Sequence, residues 1–262
     1  MTAIAGPSAI GIIPARYASK RFPGKALAEI AGRPMIQHVW ENASTAKHLR
    51  ETWVATDDER IARVCQDFGA RAILTSKTHP TGTDRLAEAA RELGDEVVVN
   101  IQGDEPLIQG FVIDAAIEAL AAEPEAPMAT VVHAAEPEAA NDPNRVKVVL
   151  DRQGFALYFS RSPVPAPRAR LAEGAAGTTA APEPSYWQHV GVYAYRNAFL
   201  QDFVGLPQTP AELAEGLEQL RALENGYRIR AAVIEGWRHV PVDVPADIAS
   251  VEALLAKRES GR

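Results

Sequence analysis

Short apolar runs alternate with amphipathic stretches through the first half of the chain, and that alternation constrains the fold more than any other feature. Ala9–Pro14 (AIGIIP) has the make-up of a strand buried on both faces. A helix is expected over Arg33–Ala46, with Met35, Ile36, Val39 and Trp40 on one side. Thr52–Thr56 is the next strand, after which Asp57 or Asp58 would cap a helix that stops near Gly69. Arg71–Leu74 reads as a short strand, and Thr81 with Asp84 as a capping box for a helix ending at Gly94. Glu96–Gln102 (EVVVNIQ) is the clearest strand, and it runs into Gly103-Asp-Glu-Pro106. A helix through Phe111–Ala122 and a strand through Met128–His133 continue the series. Strands separated by single helices mean βαβ units, hence an α/β fold with an open, mostly parallel, doubly wound sheet.

After Asn141 the pattern changes. Arg145–Leu150 and Phe155–Arg161 read as an antiparallel hairpin around Asp151–Gly154. Pro163–Pro184 is rich in Ala, Pro and Gly without periodicity and reads as a long loop. Gln188–Arg196 is another strand, and Leu213, Leu217, Leu220 and Leu223 mark the core side of a helix ending at Asn225–Gly226. A strand over Arg228–Ile234 and a helix over Pro245–Lys257 close the chain. The organisation is one α/β domain over residues 1–262, with a small inserted antiparallel β segment at about 141–200.

At 262 residues, a folded chain buries roughly 70–75% of its unfolded surface and needs no staples. Hydrophobic residues make up 47% and charged residues 23%, which excludes bulk disorder. The net charge of −7 and the lack of a long basic run argue against a nucleic-acid partner. A single cysteine, Cys65, forms no internal disulfide and is compatible with a reducing cytoplasm. The first fifteen residues lack a basic segment and are broken by glycine and proline, unlike a signal peptide. No apolar run reaches the length of a membrane span, so no membrane partner is expected.

Ligands of open α/β sheets bind beyond the carboxyl ends of the strands, which directs attention to the loop after the first strand. Arg16, Lys20, Arg21 and Lys25 place four positive charges there, and Pro23–Gly24 can fold Lys25 back toward Arg16. The loop suits a triphosphate through charge-assisted bonds, or is simply a solvated basic loop. It matches neither G-x-G-x-x-G nor a Walker A sequence, which disfavours a dehydrogenase or P-loop ATPase. Asp104, at the end of the best strand, could share a magnesium ion with phosphate oxygens or merely cap the next segment. Asp243 carries the same ambiguity, its bland role being an N-cap of the last helix. Both could meet one metal only if the last segment lies against the strand carrying Asp104. On the strand around His189, period two sets His189, Gly191, Tyr193 and Tyr195 on one face, suited to a polyhydroxylated ligand or to a partly buried wall. Arg161 and Arg196 are candidates for gripping a carboxylate. Glu218 and Gln219 read by default as a solvated helix face.

Ten stretches between Ile12 and about Asp247 together resemble the 3-deoxy-manno-octulosonate cytidylyltransferase family of nucleotide-diphospho-sugar transferases. They are IIPARYASKRFPGK, GRPMIQHV, VATDD, TGTDRLAEA, VVNIQGDEP, RVKVVLD, ALYFSR, QHVGVYAYR, LEQLRALENG and VDVPADI. The resemblance implies transfer of CMP from CTP to the anomeric hydroxyl of 3-deoxy-D-manno-octulosonate (KDO), releasing pyrophosphate. By motif, Arg16 and Lys25 would hold the triphosphate, with Ala15, Ser19 and Arg21 beside them. Gln102 and Arg85 would contact the cytosine, Asp104 and Asp243 would bind Mg2+, and Arg161, His189, Tyr193, Glu218 and Gln219 would line the sugar site. The family also implies a homodimer built through the inserted β segment. Two departures stand out: the last motif reads Asp243-Val-Pro-Ala-Asp247 where Asp-Thr-Pro-Glu-Asp is expected, and Pro163–Pro184 matches nothing in the pattern. A related sugar acid as acceptor, the 8-amino analogue of KDO or a sialic acid, and a non-catalytic CTP-binding protein are the competing expectations. A glycosyltransferase is disfavoured, because Gly103-Asp-Glu-Pro106 stands where an Asp-x-Asp is usual.

Overall fold

The structure, a computed structural model, describes residues 9–18, 22–136, 138–166, 186–237 and 239–260. Ser19, Arg21 and most of the Pro163–Pro184 loop therefore lie outside the described residues.

Strand β1 (Ala9–Ala15) occupies the middle of the sheet, as its fully apolar make-up requires, flanked in parallel by β4 (Leu49–Thr56) and β6 (Val97–Asn100). Two two-residue strands, β2 (Glu29–Ile30) and β3 (Arg33–Pro34), form a small ribbon before helix α1 (Met35–Ala43), so that helix begins two residues later than expected. The strand order is β11 (Ile229–Ile234), β7 (Met128–Ala135), β10 (Tyr186–Arg196), β6, β1, β4, β5 (Arg71–Leu74). Within this order β10 alone runs antiparallel, pairing with β6 on one side and β7 on the other. The expected mostly parallel sheet is present. The hairpin β8 (Lys147–Leu150) and β9 (Ala156–Ser160) sits off the main order against β10. Thus the segment from about 141 to 200 supplies both that hairpin and a strand through the middle of the sheet.

Both faces are covered. Helices α1, α2 (Glu59–Asp67) and α4 (Gly110–Ala121) bury Ile36, Val39, Ile61, Val112 and Ile113 on one face, against Ile13, Val97 and Val99. On the other, α3 (Gly82–Leu93) and α5 (Asn197–Phe203) pack Leu86, Phe199 and Phe203 over Ile10, Ile12 and Val98. Helix α2 starts at Asp58, whose carboxylate accepts the Arg60 amide, which settles the choice between the two aspartates. Thr81 and Asp84 form the expected capping box of α3.

One helix expectation fails. The leucine stripe predicts a continuous helix through Leu213–Leu223, but the chain forms α6 (Pro210–Glu215) and α7 (Leu220–Glu224) instead. Gly216, at φ +62°, ends the first helix in the left-handed region, and Leu213 is 64% exposed. Helix α8 (Asp247–Ser260) closes the described chain. No described helix is long and apolar enough to cross a membrane.

Candidate active site

A cavity of about 680 Å³ opens at the carboxyl ends of β1 and β6, where the chain leaves β1 for β4, toward one edge of the sheet, and leaves β6 for β7, toward the other. Ala15, Arg16 and Lys25 line one wall, Gln102 and Asp104 the floor, and Tyr193, Glu218 and Gln219 the far side. Residues read from separate motifs thus share one chamber.

The basic loop turns as Pro23–Gly24 suggests. Gly24 adopts φ +72° and its amide donates to the Tyr17 carbonyl at 2.9 Å. The Arg60 guanidinium stacks 3.4 Å over the Tyr17 ring, anchoring the loop to α2. Lys25 Nζ then donates to Asp104 Oδ2 and to the Val242 carbonyl, both at 2.8 Å, and lies 3.7 Å from Asp243 Oδ1. The Val242 amide donates in turn to the Asp104 carbonyl at 2.9 Å. The last segment therefore does lie against the strand end carrying Asp104, and both aspartates face one ammonium. Asp104 precedes α4 by six residues, and at the start of the last helix the Asp247 carboxylate accepts the amides of Asp243 and Val244.

Glu105 reinforces this junction. It is 3% exposed, and its Oε1 lies 2.8 Å from His239 Nδ1. Burial pushes its carboxyl above the usual carboxylate range, against the opposing pull of His239. The sequence motif contains Glu105, but nothing in its spacing announces a partner 134 positions away.

Arg85 is buried at the cavity wall, ion-paired to Asp57 at 3.0 Å and donating to the Thr75 hydroxyl. Gln102 Nε2 donates to the Gly191 carbonyl at 3.0 Å. A Cβ on Gly191 would stand 3.0 Å from Gln102 Cγ, so the absence of a side chain on β10 makes room for this floor residue. His79, Thr83 and Asn100 also line the cavity, and the sequence reading missed all three. Thr83 lies between the two capping-box residues and was legible as a first-turn side chain; Asn100 was legible as the polar residue of an otherwise apolar strand, whereas His79 sits in a segment with no distinguishing pattern.

The far side of the cavity is built on β10. Tyr193 and Tyr195 stand on the face predicted by period two, and burial raises both phenols well above their usual range, keeping them neutral. His189 lies behind them, its ring 5.1 Å from that of Tyr193 and its Nε2 2.9 Å from Thr130 Oγ1, and it is not among the lining residues. Burial, aided by His239, pushes this imidazole down to about 3, so it is neutral near pH 7. Gly216 redirects the chain so that Leu217 enters the core while Glu218 and Gln219 reach the cavity, not a solvated helix face. The Thr83 hydroxyl donates to Glu218, whose carboxyl burial raises. Arg161 stands apart from the cavity, its guanidinium donating to the carbonyls of Pro143, Glu215 and Gly216. Arg196 likewise donates to the carbonyls of Leu120, Glu123 and Ala126, binding the end of α4 to β10.

The cytidylyltransferase family model matches residues 10–229. A 3-deoxy-manno-octulosonate cytidylyltransferase of Geobacter sulfurreducens is 51% identical over 243 residues, spanning 92% of this chain and 96% of its own. The protein of the same name from Syntrophotalea carbinolica is 49% identical over 95% of this chain and 98% of its own. Among solved structures, a CMP:2-keto-3-deoxy-manno-octonic acid synthetase complexed with CTP superposes with a TM-score of 0.87 at 42% identity, covering 96% of this chain and 99% of that one. With a nucleotide-sized chamber at the switch point of its sheet and near-full-length similarity of this order, the chain belongs to the 3-deoxy-manno-octulosonate cytidylyltransferase family.

Proposed function

We propose that the chain transfers CMP from CTP to the anomeric hydroxyl of KDO, releasing pyrophosphate and supplying activated sugar for lipopolysaccharide assembly. The observation that carries this reading is the single cavity in which cationic Arg16 and Lys25 face Tyr193, Glu218 and Gln219 across the Gln102–Asp104 floor. Relatives named for this reaction support it at about half identity over nearly the whole chain.

The acceptor's anomeric oxygen attacks the α-phosphorus as the bond to the pyrophosphate oxygen breaks, and the hydroxyl proton passes to solvent. Such a reaction needs positioning and charge neutralisation more than covalent help from the protein. Arg16 and Lys25 would neutralise the departing phosphates. Arg85 and Gln102 would hold the base, and Tyr193, Glu218 and Gln219 would orient the sugar acid. His189 would act from behind Tyr193 as a neutral donor or acceptor.

The donor set also fits Mg2+. Two carboxylates, Asp104 and Asp243, converge on one cationic atom, and a magnesium ion typically takes one or two carboxylates plus substrate phosphate oxygens. When bound there, it would add positive charge at the phosphates and lower the pKa of a coordinated hydroxyl. Lys25 would then turn from the aspartates to the triphosphate.

A homodimer fits the exposed apolar side chains Leu157 and Tyr158 on β9 and Leu213 on α6, neighbouring elements tied by the Ser160–Glu215 hydrogen bond. A reducing cytoplasm suits Cys65, a lone buried thiol that burial pushes up to about 12. Pyrophosphate release from CTP with Mg2+ tests the reaction directly. Release that requires KDO and stops with EDTA supports it. CTP binding without KDO-dependent release, or better turnover of another 2-keto sugar acid, overturns the choice of acceptor.

A further inference from the structure

The side chain of Asn100 is unexplained by anything described so far. It is 5% exposed, it lines the cavity, and its Oδ1 has no hydrogen-bond partner among the described residues. A buried amide oxygen left unpaired is costly, and such atoms in a binding chamber commonly await a ligand group.

The sheet register says which half of the chamber it serves. Asn100 is directly opposite Ile12 on β1 and Tyr193 on β10, and Tyr193 is opposite Thr130 on β7, so these side chains form one row on one face. Within that row Asn100 has apolar Ile12 on one side and Tyr193 on the other. Beyond Tyr193, Thr130 meets His189 at 2.9 Å, and the His189 ring packs on Tyr193. Asn100 therefore extends a polar line of acceptor-side residues, while the cationic groups Arg16 and Lys25 project from the segment past the end of β1, Lys25 from a 3-10 turn over Lys25–Leu27. A carboxamide at this place recognises a neutral polar group, and a hydroxyl, which both donates and accepts, suits either end of it.

We infer that Asn100 is a specificity residue for the sugar-acid acceptor, holding one of its ring or tail hydroxyls by a hydrogen bond. The inference rests on the proposed CMP transfer to KDO and adds to it a residue outside the assigned set. It predicts that the chamber discriminates against acceptors lacking that hydroxyl, because the Asn100 amide would then stay buried and unpaired.

The test is a cycle between side chain and substrate. Pyrophosphate release is measured with KDO and with KDO analogues each lacking one hydroxyl, on the wild-type chain, on Asn100→Leu, which keeps the number and branching of side-chain heavy atoms, and on Asn100→Ala. Expected is a rise of about tenfold in KM for KDO with KM for CTP within twofold. One analogue should be about tenfold worse than KDO on the wild type and no worse than KDO on the variants. Multiplying losses for every analogue, an unchanged KM for KDO, or a rise confined to KM for CTP each overturn the inference. CTP-binding affinity within twofold of wild type shows that a variant is folded, and Asn100→Ala serves if the bulkier leucine unfolds the chain. A wild-type chain that releases no pyrophosphate with KDO overturns the proposed function and this inference together, and that failure is visible before any variant is made.

Discussion

Lys25 shows how much one side chain organises. Its ammonium meets Asp104, Asp243 and the Val242 carbonyl, joining the loop after β1, the end of β6 and the segment before α8. Removing it leaves two carboxylates facing each other without a cation until Mg2+ and substrate arrive. Lys25→Ala and Asp104→Asn are each expected to lower kcat/KM at least about tenfold, or roughly 1.4 kcal/mol of transition-state stabilisation. Steady-state pyrophosphate release measures this, and activity within twofold of wild type for either would remove that residue from the site. The chemical types of Arg16, Lys25 and Asp104 were legible because charged residues at strand ends of a buried sheet have few structural uses, whereas Gln102 was marked only by the family resemblance. Arg161 and Arg196 belong to types equally visible in the sequence, yet the fold uses both guanidinium groups to bind main-chain carbonyls. A free guanidinium and one spent on carbonyls look alike until the distant backbone is in place.

At the scale of elements, caps and close approaches carry most of the local meaning. Asp58 begins α2, and its hydrogen bonds with the Arg60 side chain hold its carboxyl down at about 2, below its usual 3.8. Asp58→Ala should cost about 1 kcal/mol of stability near neutral pH, read from urea denaturation. Because the folded pKa is depressed, that stabilisation is complete above about pH 3.8 and fades as the pH falls toward about 2. The gap between wild type and variant should therefore close across that window. Gly110 opens α4 where α1 ends: a Cβ there would lie 2.5 Å from the backbone of Thr45 and Ala46. Gly110→Ala is expected to destabilise by about 1–3 kcal/mol, since backbone on both sides must shift, and thermal denaturation would show it as a lowered Tm. The broken helix at Gly216 is the converse lesson. The leucine spacing was truthful about Leu217, Leu220 and Leu223, but periodicity cannot see a single residue at positive φ that turns Glu218 and Gln219 into the cavity.

Across the whole molecule, the site depends on contacts between parts of the chain far apart in sequence. The buried Glu105–His239 pair and the Val242–Asp104 hydrogen bond hold Asp243 beside Asp104. Glu105→Ala should raise the Mg2+ concentration for half-maximal pyrophosphate release by about tenfold and cost about 1–3 kcal/mol of stability, because it strips the carboxylate partner from His239. An unchanged Mg2+ requirement would mean that the aspartates are positioned independently of this tie. If the apolar side chains of β9 and α6 meet in a homodimer, light scattering should give twice the chain mass, and Leu157→Glu together with Leu213→Glu should give the monomer.

The sequence by itself determined the α/β alternation, the cap of α3, the turn that returns Lys25 and the two faces of β10. Each depends on interactions within a few residues or on a period set by backbone geometry, so the information is local. Only the tertiary structure decided that β10 runs antiparallel through the middle of the sheet, that Asp243 comes to Asp104, and that the Asn100 amide oxygen in the chamber has no hydrogen-bond partner among the described residues. Strand order and the pairing of buried polar groups depend on which segments meet after the chain collapses, and no spacing within one segment records its partner in another.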